Sequence, residues 1–160
     1  MSNGTDIPNV LKFGVTGMYV TEPAGALAPT TVIAKDEAFT LSADFYIDRW
    51  LGKGLNNLKF PPTNQPVLEY NVNYYAEKIG TGPDYDFPLG ADSKHITCIA
   101  NQYSYGPAQT SYTVPPNTMQ PGTYELSCVV KMSPIGGGSS GFPSHVLGFF
   151  EGPMIDIYEP

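Results

Sequence analysis

Charged residues are scarce in this chain. Eight basic and 15 acidic side chains make up 14% of its 160 residues and give a net charge of -7, whereas an average globular protein has about 25% charged residues. The lysines and arginines are spread singly along the sequence. Binding a phosphate backbone or an anionic membrane surface needs clustered basic residues. The composition therefore argues against nucleic acid and membranes as partners.

No stretch of the sequence has the pattern typical of a secretory signal or a transmembrane helix. The opening MSNGTDIPNVLKFGV has no cationic stretch followed by an apolar run, so it does not resemble a secretory signal. No segment approaches the roughly 18 apolar residues of a transmembrane helix. We therefore expect a soluble protein, cytoplasmic by default. Residues 1–160 are predicted to fold as one domain, because the length is close to the usual domain size.

Helical periodicity is almost absent, because 17 glycines and 16 prolines interrupt most stretches. The sequence instead alternates apolar and polar residues with the period of two that a half-buried strand requires. Three segments show this most clearly: 39–47, 70–77 and 124–132. Weaker candidates are 11–22, 95–100, 110–114, 145–152 and 154–159. A short helical turn fits best within 48–60.

Strands in series without crossover helices predict an all-β fold. We expect an antiparallel two-sheet β-sandwich with seven to eight strands and long loops. The segment PGTYELSCVV (121–130) resembles the penultimate strand of immunoglobulin-like sandwiches, including bacterial Ig-like modules. The resemblance extends in strand order over about 31–159 and implies an immunoglobulin-like architecture. It does not imply the antibody disulfide, because Tyr124 lies four residues before Cys128 instead of two, and Trp50 precedes the third strand.

Cys98 and Cys128 are the two cysteines, and both lie in strand-like runs. A reactive thiol is usually partly exposed beside a cation or a helix amino terminus. Of these, the flanking sequence offers only Lys131, on the opposite face of its strand. We therefore interpret both cysteines as small buried apolar residues. A disulfide between facing strands and a catalytic thiol are the alternatives.

Motifs for catalysis are weak. GGSSG (137–141) matches the nucleophile-elbow pattern with Ser139 in the nucleophile's place, but that elbow joins a strand to a helix, and no helix is predicted to follow. His95 and His145 have no partner at a zinc-ligand spacing. A hydrolase that uses one of them with a nearby acid is a third hypothesis. We expect a protein that is not an enzyme and has no cofactor.

One loop gathers carboxylates. GPDYDFPLGAD (82–92) carries Asp84, Asp86 and Asp92, and clustered carboxylates are the ligands that calcium prefers. The spacing does not follow the helix-loop-helix calcium pattern. Solvated turn residues are the default interpretation, and calcium is the alternative.

Tyrosines are abundant, with eleven in the chain. Tyr75 lies on the polar face of its strand, and Tyr103, Tyr105 and Tyr112 follow in QYSYGPAQTSY. Their rings could stack against a sugar or a peptide. They could equally pack in the core, because tyrosine is a good strand former.

The connection 133–145 is longer than a hairpin needs, and such loops are often functional. Its Ile135 and Phe142 are predicted to anchor a partner, together with Tyr103 and Tyr105; the alternative is that Ile135 and Phe142 pack on the rim of the sandwich. Our first hypothesis is thus a non-catalytic interaction or structural module that binds another protein or assembles into a larger complex. The alternative is a carbohydrate-binding module that uses the tyrosines, with or without calcium.

Overall fold

The computed structural model describes residues 12–21, 31–48, 59–60, 65–66, 68–80, 86–89, 94–99, 102–134 and 146–160. The strands are β1 (Lys12–Thr21), β2 (Val32–Ala34), β3 (Phe39–Asp48), β4 (Lys59–Phe60), β5 (Gln65–Pro66), β6 (Leu68–Ile79), β7 (Asp86–Pro88), β8 (Lys94–Thr97), β9 (Ser104–Tyr105), β10 (Tyr112–Val114), β11 (Gly122–Pro134) and β12 (Val146–Tyr158). Within these ranges the helix α1 (Pro107–Thr110) has four residues. No helix of the described part has the length and apolar content to cross a bilayer.

The strands form two main sheets and a separate β4–β5 pair. The smaller sheet has the order β1-β3-β10, with β9 also pairing with β3. The larger has the order β2-β12-β11-β6-β7, with β8 also pairing with β6. Every pairing is antiparallel except that of β2 with β12. This arrangement confirms the predicted two-sheet sandwich, and its strand order matches the A-B-E and G-F-C-C′ sheets of an immunoglobulin-like fold.

The core lies between the two sheets and is built by alternation. One face of β3 is buried, and β6 and β11 each contribute an equally regular inward row. Three rings meet at the centre: Phe45 and Tyr105 from the smaller sheet and Tyr70 from the larger. Phe45 stacks on Tyr105 with ring centroids 4.9 Å apart, and Tyr70 lies 5.0 Å from each. Each such pair contributes about 0.5–1.5 kcal/mol beyond burial of its area, so this cluster joins the sheets.

The carboxyl-terminal segments predicted as two strands are one strand, β12. A bulge interrupts its ladder with β11, where the register passes from Ser127 opposite Glu151 to Glu125 opposite Met154. Pro153 lies in the bulge because it has no N–H to donate to a ladder. The glycine and proline at this point therefore predicted the end of a strand, whereas the backbone has a bulge within one continuous strand. The helical turn predicted within 48–60 lies outside the described residues, apart from the end of β3 and the two residues of β4.

The turn that opens β11 explains the PGTY segment. Gly122 has a φ of 153°, a conformation that residues with a side chain rarely adopt. The Tyr124 hydroxyl donates a hydrogen bond of 2.8 Å to the carbonyl oxygen of Gln120. This bond to the backbone just upstream is the feature of the immunoglobulin tyrosine corner, although the spacing from the cysteine differs.

Helix α1 completes the open edge of β3. Strand β9 pairs with Phe45 and Tyr46, and β10 pairs with Phe39 to Leu41, so Ala43 lies between them. The Thr110 hydroxyl accepts a hydrogen bond from the Ala43 N–H at 3.0 Å and donates one to the Ala43 carbonyl at 2.8 Å. One side chain therefore takes the place of a neighbouring strand.

Candidate binding surfaces

The outer face of the larger sheet carries an unusual set of side chains. Strands β6, β11 and β12 lie side by side there, and their registers align three rows of outward-pointing residues. The rows are Glu77–Glu125–Met154, Tyr75–Ser127–Glu151 and Asn73–Val129–Phe149. We call these residues the acidic–aromatic face.

Large apolar side chains are exposed on this face. Phe149 is 59% exposed, Met154 is 52% exposed and Tyr75 is 37% exposed. Single exposed apolar residues are normal on any protein surface, but a group rimmed by polar residues marks an interaction site. Here Phe149 and Met154 lie on β12 and Tyr75 lies on β6, the two strands that flank β11, so all three side chains belong to one face of the sheet, around its glutamates.

The carboxylates of the acidic–aromatic face repel one another. Glu77 lies directly opposite Glu125, a like-charge pairing that destabilises a sheet. Glu151 is one row away. In the described part of the chain, none of these three carboxylates forms an ion pair with Lys or Arg. Among the described residues, Lys131 lies on the same face of β11, beyond the row that contains Phe149.

The space between these carboxylates is shallow. A depression of about 90 Å³ is lined by Glu77, Glu125, Leu126, Ser127, Phe149 and Glu151. Small-molecule sites usually enclose about 300–1,000 Å³. Among the described residues, no group of three His, Cys, Asp or Glu could hold a metal ion. The depression is therefore smaller than a typical small-molecule site.

The predicted partner-binding residues fall in different places. Ile135 and Phe142 lie outside the described residues, so their role stays a prediction. Tyr103 is 42% exposed, and its carbonyl oxygen accepts a hydrogen bond from the N–H of Ile47 at 2.8 Å. Tyr105 is only 2% exposed, because its ring packs in the central aromatic cluster. The structure thus places Tyr105 in the core instead of at a binding surface.

The two other tyrosines predicted to stack against a ligand, Tyr75 and Tyr112, lie apart from each other. Tyr112 is half-buried, with its ring centroid 6.4 Å from that of Tyr74. Tyr75 belongs to the acidic–aromatic face, on the other sheet. These rings do not form one continuous platform with Tyr103.

The predicted calcium loop is described only in part. Asp86 begins β7, where its backbone pairs with Glu77 of β6. Asp84 and Asp92 lie outside the described residues, and so do Ser139 and His145 of the weak catalytic motifs. His95 is a strand residue of β8, opposite Asn71. Calcium binding at the three aspartates therefore stays a prediction.

Both cysteines are core residues. Cys98 and Cys128 are free thiols, 4% and 0% exposed. Burial raises the pKa of each thiol to about 12, so neither forms a thiolate at neutral pH. The interpretation as buried apolar residues is confirmed, and the disulfide does not form in this structure.

Sequence reasoning missed Phe149 and the three glutamates. Alternation placed Tyr75, Glu77 and Glu125 on the polar faces of their strands. Only the registers of β6, β11 and β12 show that they are neighbours. The segment HVLGFFEG did indicate an exposed ring, because successive side chains of a strand point to opposite faces and two neighbouring phenylalanines cannot both point inward.

Comparisons with known proteins show likeness in structure only. No family model matches the chain, and no curated protein matches it. The chain is similar to the ASH/PapD-like domain of human CEP192 (PapD-like domain 7), with a TM-score of 0.36 and 10% identity, over 94% of this chain and 85% of that one. It is also similar to Spo0M, the sporulation control protein of Bacillus subtilis, with a TM-score of 0.33 and 9% identity, over 92% of this chain and 50% of that one.

Proposed function

We propose that this chain is a non-catalytic binding module that holds a basic segment of another protein on its acidic–aromatic face. The observation that carries the proposal is the position of Phe149, 59% exposed beside a row of carboxylates. An aromatic anchor with a polar rim is the usual anatomy of a protein-binding hot spot. The shallow, open sheet surface suits a macromolecular partner better than a small substrate.

The chemistry of the face selects a cationic partner. A lysine or arginine placed between Glu77 and Glu125 relieves the repulsion of two carboxylates that lie directly opposite each other. The stem of the same side chain, or a neighbouring one, can lie on the exposed rings of Phe149 and Tyr75. A cation–π contact at an exposed site contributes about 0.5–1 kcal/mol. The net charge of -7 would also speed the encounter with a basic partner.

A charge-matched pair of variants tests this proposal. The probe is a fluorescein-labelled peptide that alternates arginine and serine, and its affinity is measured by fluorescence anisotropy at 150 mM salt. The test variant neutralises the face with Glu77→Gln, Glu125→Gln and Glu151→Gln. The control removes the same charge elsewhere with Asp36→Asn, Glu37→Gln and Glu159→Gln. We expect at least a tenfold (about 1.4 kcal/mol) loss of affinity in the test variant only. Equal losses in both would show non-specific attraction and refute the proposal.

The aromatic anchor has its own control. Phe149→Ser should weaken peptide binding by about tenfold. Ile99→Ser removes an apolar residue that is 41% exposed and lies outside the acidic–aromatic face, so it should leave the affinity unchanged. If the Phe149→Ser variant bound the peptide as tightly as the wild type, the Phe149 ring would not be part of the binding site.

A further inference from the structure

A groove on the outer face of the smaller sheet lies on the opposite side of the sandwich. It has a volume of about 420 Å³, within the usual range for small-molecule sites. Of the residues that the structure describes, its lining consists of Thr16, Asp44, Phe45, Tyr46, Ser104, Tyr105 and Gly106. Phe45 and Tyr105 point their rings into the core, so the polar residues and Tyr46 supply the side chains that a ligand would meet.

The Asp44 carboxylate is held in place and reachable. The Tyr19 hydroxyl donates a hydrogen bond of 2.7 Å to Oδ2 of Asp44, and this bond raises the pKa of Tyr19. The second oxygen, Oδ1, faces Gly106, where a Cβ atom would lie only 3.0 Å away. Because residue 106 has no side chain, Oδ1 stays open to a hydrogen-bond donor in the groove.

The Tyr46 ring forms the apolar wall. It lies over Gly14, its partner across the ladder on β1, where a Cβ atom would be 3.2 Å from the ring carbon Cε1. The glycine therefore lets the ring lie flat along the sheet. With one side of the ring on the backbone, its opposite side is the one that a ligand can contact.

We propose that this groove binds the ring of a neutral sugar. The hydroxyls of the sugar would donate to Asp44 Oδ1, and its C–H face would stack on the ring of Tyr46. The Thr16 hydroxyl already donates to the Asp44 carbonyl oxygen at 3.3 Å, so it would accept a hydrogen bond from the sugar, and the Ser104 hydroxyl also lines the groove. An ammonium ligand fits less well, because a cationic cage needs several ring faces, and among the lining residues that the structure describes only Tyr46 offers one. This site is separate from the acidic–aromatic face and does not depend on the function proposed for it.

Saturation-transfer NMR and a glycan array test the proposal on the full chain. The NMR probes are glucose, galactose, mannose and N-acetylglucosamine, with tetramethylammonium as the competing ligand class. We expect transfer to at least one sugar, and we expect Asp44→Asn and Tyr46→Ala each to weaken its binding by about tenfold or more. Tyr46→Phe keeps the ring and should bind nearly as well as the wild type. Gly106→Ala places a methyl group against Oδ1 and should also weaken binding.

Two results would overturn this inference. One is that no glycan binds in either assay, or that tetramethylammonium binds in place of the sugars. The other is sugar binding that survives both Asp44→Asn and Tyr46→Ala in variants whose thermal unfolding is cooperative. Phe149→Ser, on the other face, should bind sugar normally, so a failure of this site and a failure of the peptide-binding face are distinguishable.

Discussion

Replacing Thr110 by valine should destabilise the sandwich far more than its small change in shape suggests. Thr110 is fully buried, and its hydroxyl bonds both the N–H and the carbonyl of Ala43. Valine has the same branched shape but no hydroxyl, so both backbone groups lose their partner inside the protein. A buried polar group left without a hydrogen bond costs about 1–3 kcal/mol. Two such groups predict a loss of about 2–6 kcal/mol in the free energy of unfolding.

Thr110→Ser is the matched control, because it keeps the hydroxyl and removes one methyl group. That methyl group contributes about 1 kcal/mol through burial. The measurement is urea unfolding of the three proteins, followed by tyrosine fluorescence and circular dichroism. A loss of several kcal/mol is a large part of the 5–15 kcal/mol typical of a folded domain, so Thr110→Val should unfold at a clearly lower urea concentration.

A valine variant as stable as the serine variant would refute this reasoning. It would mean that Ala43 finds other partners, or that water reaches the edge of β3 at this point. A crystal structure or hydrogen exchange at the Ala43 amide would then show which partner replaces Thr110.

Three further perturbations follow from buried contacts. Burial raises the pKa of Cys98 and Cys128 from 9.0 to about 12, so folding favours the protonated form of both thiols. The contribution of this preference to the free energy of unfolding is complete below about pH 9. It is lost as the pH rises towards 12, by up to about 1.4 kcal/mol per thiol and pH unit. Urea melts at pH 8 and pH 10.5 should show this fall, and the double alanine variant should show a smaller one. Gly152→Ala would bring a Cβ atom 2.5 Å from Sδ of Met18, so we expect a loss of about 1–3 kcal/mol in the same assay; no loss would mean that Met18 moves aside freely. Tyr124→Phe removes the bond to the turn and should cost about 1 kcal/mol, seen as a lower melting temperature with unchanged circular dichroism.

The strands could be predicted from the sequence because alternation reports burial directly. Strands β3, β6 and β11 alternate through their whole length, and each was predicted to within two residues at either end. Helix α1 could not be predicted, because its four residues carry no periodic pattern and its role depends on Ala43, 67 positions away from Thr110. The bulge in β12 was also hidden, since a glycine before a proline signals a strand end as readily as a bulge.

The candidate site was harder to predict than the fold, because pairing between strands sets its composition. Glu77, Glu125 and Glu151 are distant in sequence and become neighbours only through two registers. Tyr103 and Tyr105 looked equivalent in the sequence, yet one ring is exposed and the other is buried. Two positions along a strand normally share a face. Tyr103 precedes the paired residues of β9 and does not follow that rule.

The position of β12 has a consequence for the order in which the protein is made. This strand pairs with β11 and in parallel with β2, and Gly148 lies against the side chains of Phe13 and Val15 from β1. The ribosome synthesises β1 and β2 before β12. The apolar residues of β1 and β2 that contact β12 therefore stay uncovered until β12 has been made. Contacts between such distant segments also slow folding. Phe149 and Glu151 belong to β12, so a nascent chain should lack the acidic–aromatic face until synthesis has reached this strand.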